Sequence, residues 1–476
     1  MSAWIAAAVL LAGAAAFAAA GMLYARRRVA TLEDWITARG TLGPGAGVAT
    51  LVASGMGAWI LFGPAEAATW GGIAAVAGYA IGSAAPLFVF VALGVRLRRL
   101  MPEGHSLGEY VRLRYGPVMH ALTLAVTLFY LVIFLTAEMT GMALIAGLVT
   151  GLPLWATAVA VMTATLAYTG YGGLRASIFT DGIQFLLMVP LLVWLVVAAW
   201  QALGGAGPGV AALAERAPQL LDPLTAVGLE GGLTLIIAIL LTNLFHQGYW
   251  QRVFAARDER SLRTGFIVAG VVVFPIVFAM GLFGLAFVAV DAPGEASTAV
   301  FAVVLEALPA WAGLVLILLG LVLVMSSADT ILNAVASLIA VDLQHVRPAA
   351  DGARRMRVAR LAILALAVPV VAVAAQGFSV LYLFLLADLL CAAAAFPVFY
   401  GLYNPHYSER AAVWSLLAGL AAGAALFPAP DLSGGSLLGA FVLAATVPAA
   451  VSLAWPRRAE PFDFAGLRTA VRPIAE

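Results

Sequence analysis

Apolar runs long enough to cross a bilayer recur from the first residues of this chain almost to its last, and nothing else in the sequence limits the fold so tightly. Roughly 18 or more such residues, wound as a helix, cover the hydrocarbon thickness, and a helix keeps its backbone hydrogen bonds inside the segment. A closed barrel would show alternating segments of roughly ten residues instead, and this sequence has none. With 63% hydrophobic and only 10% charged residues among 476, the chain reads as an all-α polytopic membrane protein. Thirteen transmembrane helices are expected, near 3–24, 44–68, 71–95, 117–147, 153–169, 180–200, 232–250, 265–291, 309–343, 358–376, 380–400, 411–427 and 434–455. The opening run lacks the basic start and small-residue cleavage site of a signal peptide, so it is kept as a helix. The one cysteine, Cys391, rules out disulfides within the chain and argues against a metal cluster.

Thirteen crossings sort the basic residues onto one face. All 25 are arginines, and only Arg216 falls on the opposite face; Arg252, Arg257, Arg347 and Arg472 are among those on the common one. The positive-inside rule names that face cytoplasmic, which puts the amino terminus outside and the carboxyl terminus inside. An all-arginine basic set beside so much alanine and glycine suggests a GC-rich bacterial genome, hence a bacterial cytoplasmic (inner) membrane. Residues 201–231 form a Gly-, Ala- and Pro-rich outer loop, and 101–116 are expected as an amphipathic helix on the inner surface. Residues 1–455 read as one transmembrane domain and 456–476 as a short cytoplasmic tail. Neither His-x-x-x-His nor Gly-x-Ser-x-Gly sits mid-span, so an enzyme is not expected.

The polar residues at membrane depth are few and grouped. In Leu321–Asp342, an otherwise apolar helix presents Ser326, Asp329 and Thr330 on one face, with Ser327 at its shoulder. Hydroxyl and carboxylate oxygens held away from water suit a small hard cation. Two other helices are interrupted. The second carries Ser54-Gly55-Met56-Gly57 mid-span, and the seventh clusters Thr242, Asn243, His246, Gln247 and Gly248. Broken helices in corresponding halves of a chain mark the binding site of inverted-repeat transporters, with helices 2–6 (about 44–200) and 7–11 (about 232–400) as the repeats. Ser54, Gly55, Gly57, Asn243, His246 and Gln247 are therefore candidate solute contacts, with Glu138 of the fourth helix. Glu66 near the outer end of helix two and Asp388 in helix eleven are weaker candidates, and no arginine is expected mid-span.

At these residues the chain resembles the sodium:solute symporters, which include proline, sugar, sialic acid and iodide carriers. The most specific stretch is Tyr168–Gln184, YTGYGGLRASIFTDGIQ, and the MSSADT and Ala53–Trp59 segments are similar to two further family blocks. The resemblance implies a leucine-transporter-like 5+5 inverted repeat with one leading and two trailing helices. It also implies a sodium site of backbone carbonyls at Ala53, Met56 and Leu323 with the hydroxyls of Ser326 and Ser327. A second sodium site or an exit path would involve Asp181, Asp329 and Thr330. Asp181 also reads as the N-cap of helix six. Gly55 stands where proline carriers of the family have an aspartate, which weighs against a proline-type substrate.

The expected function is sodium-coupled import of a small polar organic solute by alternating access. Sodium is the coupling ion and no other cofactor is expected; the bilayer is the setting, and nothing points to nucleic acid or to an oligomeric state. The alternatives are proton coupling, with His246 or an aspartate carrying the proton, and a transporter-like sensor working with a separate partner.

Overall fold

The computed structural model describes residues 3–346, 351–429 and 433–471; Arg347 and Arg472 lie outside the described residues. Helix α1 (Ala3–Ala25) leads, followed by the short α2 (Leu32–Ile36), capped by the Thr31 hydroxyl. Then come α3 (Pro44–Gly55), a 3-10 turn at Ala58–Leu61, and α4 (Gly63–Leu100). After α5 (Leu107–Tyr115), the long helices α6 (Pro117–Thr150) and α7 (Leu154–Ala202) complete the first half. The second half runs α8 (Ala206–Arg216), α9 (Ala226–Asn243), α10 (Gln247–Ala255), α11 (Glu259–Val290), α12 (Ala299–Ala307) and α13 (Ala312–Val346). It closes with α14 (Gly352–Ala374), α15 (Val380–Tyr400), α16 (Glu409–Ala424), α17 (Leu437–Ala454) and α18 (Leu467–Ala470). Among the described residues ten of these helices are long and apolar enough to cross a membrane, so the chain is a multi-pass helical membrane protein. The stretch expected as a plain outer loop carries α8, and α11 begins at Glu259 rather than near residue 265.

Two of the long helices are each a pair of helices joined at a glycine. Gly72 divides α4 with φ 60° and ψ −154°, and Gly173 divides α7 with φ 55° and ψ −149°. Side chains rarely enter that region, and here there is no room for one. A β-carbon on Gly72 would strike the Leu220 backbone, and one on Gly173 would strike Trp35. This break also corrects the expected role of Asp181. Helix geometry resumes at Leu174, so Asp181 sits inside a helix and does not cap one.

Helix α13 is the buried axis of the bundle and packs on α6, α7 and α14, while α4 lies along α9 and α11. Helix α5 is not the surface helix its pattern suggests. Tyr110 and Val111 are fully buried, and Arg114 donates to the carbonyls of Gly401, Asn404 and Tyr407 while stacking on Phe462 from the tail. Just before α5, outside the spans, His105 lies 2.9 Å from Glu33 of α2 and 3.5 Å from Glu109. Burial works against a charged ring, but the hydrogen bonds and charges of Glu109 and Glu33 outweigh it and push the His105 pKa up to about 9.

Gly173→Ala is expected to cost about 1–3 kcal/mol in thermal denaturation, whereas Gly182→Ala, whose added methyl would meet open space, is expected to be neutral. The His105 pKa is raised on folding, so its contribution is complete below its ordinary value of 6.5 and is lost as pH climbs to about 9. Over that window stability should fall by on the order of 1 kcal/mol for each pH unit; His105→Gln, less stable at pH 6, should flatten the curve.

Candidate cation and solute site

The break after α3 exposes main-chain groups at mid-bundle. Helix α3 ends when Met56 turns extended (φ −98°, ψ 105°), its amide closing the last turn on Val52 O at 3.0 Å. Among the described residues no hydrogen bond reaches the carbonyls of Ala53 or Met56. The Trp59 indole donates to Gly55 O at 3.1 Å. The Ala58 amide donates to Glu138 Oε2 of α6 at 2.7 Å, and the Ser327 hydroxyl of α13 donates to the same oxygen at 2.7 Å. One carboxylate oxygen thus holds the broken helix to the facing intact one. Gly57 makes this approach possible, since the Glu138 carboxylate fills the space a β-carbon there would need. Ser327 Oγ also lies 3.1 Å from Leu323 O, so those two expected cation ligands are adjacent. Glu138 Oε1 is buried and has no hydrogen-bond partner.

A second polar cluster forms around a residue that pattern alone assigns to the inner rim. Arg252, at the end of α10, is buried against Asp181 at 2.9 Å and donates to Thr330 Oγ1 at 2.8 Å and to Thr50 Oγ1 at 3.1 Å. Arg252, expected among the basic residues of one membrane face, is thus buried inside the bundle. Asp181 also accepts from the Thr50 hydroxyl and from Ser326 Oγ at 2.6 Å. Asp329 accepts from Tyr168 at 2.6 Å, Ser177 at 2.8 Å and Thr180 at 3.2 Å. Ser326, Asp329 and Thr330 therefore do share a buried face, and it meets Asp181. Asp181, Asp329 and Thr330, expected together, are joined by Ser326, Arg252, Thr50, Tyr168, Ser177 and Thr180. Of these, Tyr168, Ser177 and Thr180 lie inside the signature-like stretch, whereas Thr50 and Arg252 carry no sequence signal.

Beside the break opens a small cavity of about 40 Å³. Gly55 and Trp59 line it from the break, Thr242 and Asn243 from the end of α9, and Tyr79, Tyr130, Phe134, Phe384 and Asp388 from α4, α6 and α15. Of the seven expected solute contacts, Gly55 and Asn243 line this space. Ser54 is buried with its hydroxyl unpartnered. His246 caps α10, accepting from the Tyr249 amide at 3.3 Å, and its ring stacks on Tyr249 behind the aromatic wall. Gln247 donates to His105 O at 3.1 Å and so holds the segment that leads into α5. Glu66, a weaker candidate, accepts from the Ser379 hydroxyl at 3.1 Å. The aromatic lining has no signal of its own in the sequence, because rings in apolar runs look like ordinary core.

Membrane-length helices, two of them broken beside a buried polar cluster and a cavity, form the architecture of a secondary transporter. The chain belongs to the sodium:solute symporter family, whose profile matches residues 35–419, well over half of it. A spermidine transporter of Candida albicans is 27% identical over 394 residues, covering 81% of this chain and 73% of that protein. A urea-proton symporter of Oryza sativa is 26% identical (67% of this chain, 50% of that one), and a sodium/mannose cotransporter of Bos taurus 27% (70% and 64%). The chain thus spans less than two thirds of the rice and cattle proteins. In fold, a substrate-bound, outward-open Na+-coupled sialic acid symporter is similar with a TM-score of 0.76 at 17% identity, over 95% of this chain and 99% of that one.

Removing one member of a buried ion pair leaves an uncompensated charge, at a cost of about 3–5 kcal/mol. Arg252→Met should therefore destabilise the purified protein strongly, and adding Asp181→Asn should recover at least half the loss in a double-mutant cycle of thermal denaturation.

Proposed function

We propose that this chain imports a small polar organic solute with sodium as the coupling ion, by alternating access. The observation that carries this reading is the Glu138 oxygen that binds both the Ala58 amide and Ser327 Oγ. It draws the free carbonyls at Ala53 and Met56 toward the wall formed by Leu323, Ser326 and Ser327, an oxygen-rich set suited to a monovalent cation. A cation between those walls tethers the broken helix and completes the adjacent cavity, so ion and solute binding are coupled. Ser54, Gly55, Gly57, Glu138, Asn243, His246 and Gln247 then form the solute side or its support. On the inner side, the Arg252 guanidinium already compensates Asp181. A second sodium at Asp181, Asp329 and Thr330 would have to displace it, so the pair fits better as the closed inner end of an exit path. A potential of about 100 mV adds roughly 2.3 kcal/mol per charge and a tenfold sodium gradient about 1.4 kcal/mol. One sodium thus supports solute accumulation on the order of several hundredfold.

In this reading, division of α4 at Gly72 and α7 at Gly173, with α16 counted as a span, gives thirteen crossings. Residues 1–455 form one domain with repeats over about 44–200 and 232–400, followed by the 456–476 tail. The amino terminus is outside and the protein resides in a bacterial inner membrane. The relatives' named solutes (spermidine, urea, mannose) are all small and polar. Proton coupling is the second reading. It is favoured by the unpartnered Glu138 Oε1, which a proton could occupy, and by the rice relative's named activity; uptake that persists without sodium and collapses with the pH gradient would select it.

In proteoliposomes, Ser327→Ala should raise the sodium concentration for half-maximal uptake by about tenfold or more, equivalent to roughly 1.4 kcal/mol. Ser408→Ala, at the α16 N-cap on the inner rim, should change it by less than about twofold. Equal sodium activation of both variants would remove the assigned ion site.

A further inference from the structure

We infer that the cavity beside the break is built for a compact organic cation, with Asp388 as its counter-ion. The inference rests on the transport reading for its setting and on the cavity's own chemistry for its content. Asp388 is buried in the middle of α15, lines the cavity, and has no salt-bridge partner among the described residues. Among the described residues its hydrogen-bonding neighbour is the Thr242 hydroxyl, which lies 3.5 Å from its main-chain oxygen and also serves its carboxylate. A carboxylate kept at membrane depth without a cation calls for a partner that arrives from outside.

The rest of the lining selects the same partner. Trp59 and Tyr79 stack at 5.8 Å, and Phe134 meets Phe384 edge-on at 5.0 Å with Tyr130 beside it at 5.8 Å. Ring faces of this kind attract ammonium and guanidinium groups, and more strongly once water is excluded. Two fixed donors are already committed within the protein. The Trp59 indole N–H goes to Gly55 O, and the Asn243 amide nitrogen gives one of its two N–H groups to Ile239 O at 2.8 Å, which leaves its other N–H and its amide oxygen available. The cavity thus offers acceptors, a negative charge and π-faces, with two tyrosine hydroxyls and one Asn243 N–H as the remaining donors. No basic residue lines it, so an anionic solute has nothing to bind.

The end of the bundle that bears α8 carries the same sign. There, Glu66, Glu215, Asp222, Glu230, Glu295 and Glu306 face no basic partner among the described residues, and Arg216 is already paired with Asp291 at 3.1 Å. A surface of one sign concentrates ligands of the other.

The test uses the purified full chain in detergent at saturating sodium, with melting shifts measured for tetramethylammonium and putrescine (cations), urea and glycerol (neutral) and propionate (anion). A cation should stabilise the protein at the lowest concentration and propionate should not. Asp388→Asn should weaken cation binding at least about tenfold, the equivalent of about 1.4 kcal/mol, and Asp388→Glu should restore most of it. The proposal is overturned if urea or glycerol binds as tightly as the cations, if no cation binds, or if Asp388→Asn changes only sodium activation. Should Asp388→Asn fail to fold, the ranking of probes on the unmodified chain decides. Reconstitution separates the two readings. Gradient-driven uptake of a neutral solute alone removes the cation assignment and keeps transport, whereas cation binding without uptake of any probe keeps the site and removes transport.

Discussion

A helix that opens inside hydrocarbon releases amides and carbonyls that lipid cannot satisfy, and the arrangement of this bundle follows from meeting that demand. At the break after α3 it is met from the facing helices. The Ala58 amide takes a carboxylate oxygen of Glu138, which at the same time receives the hydroxyl of Ser327. A charge-assisted bond of this kind is worth about 1.5–3 kcal/mol, and leaving its donor unpaired in the interior would cost a comparable amount. The acid is thus both the cap of an interrupted helix and a clasp between two walls. Among the described residues, the carbonyls of Ala53 and Met56 and the second oxygen of Glu138 remain unsatisfied.

The second polar cluster has a different logic. Asp181, Asp329 and Arg252 bring two acids and one base into the dry interior, where isolated charges are costly and paired ones tolerable. Hydroxyls from Thr50, Tyr168, Ser177, Ser326 and Thr330 complete the hydrogen bonds, so every helix meeting there contributes a donor. Such a network holds one arrangement firmly and resists partial loosening. That behaviour suits a closure that is either shut or open.

Much of this is legible in the amino-acid sequence. The long apolar runs announce the helices, and Ser54–Gly57 and Asn243–Gly248 announce the interruptions, because hydrocarbon rarely tolerates weak helix formers and dense polar groups unless the span opens there. The SSADT face is legible through 3.6-residue periodicity, which fixes which side chains are neighbours. Arg252 is not. In the sequence it follows a span as other arginines do, and its burial comes from the new helix that starts at Gln247 and sets it against Asp181. Asp181 is misplaced by pattern because its Thr-Asp pair looks like a helix start, while the true start at Gly173 is set by contact with Trp35, far away in sequence. Glu138 is visible as a residue but not as a cap, since its partners come from two distant segments.

The contact between Gly57 and Glu138 has an evolutionary consequence. The carboxylate fills the volume that a methyl at 57 would take, so the two positions cannot drift independently. A chain that acquires alanine or serine at 57 must shorten or withdraw the acid at 138, and one that loses the acid is released to fill the glycine. Paired exchanges at these sites would therefore sort members of the family, from letters alone, into those that keep an acidic wall at the break and those that have dispensed with it.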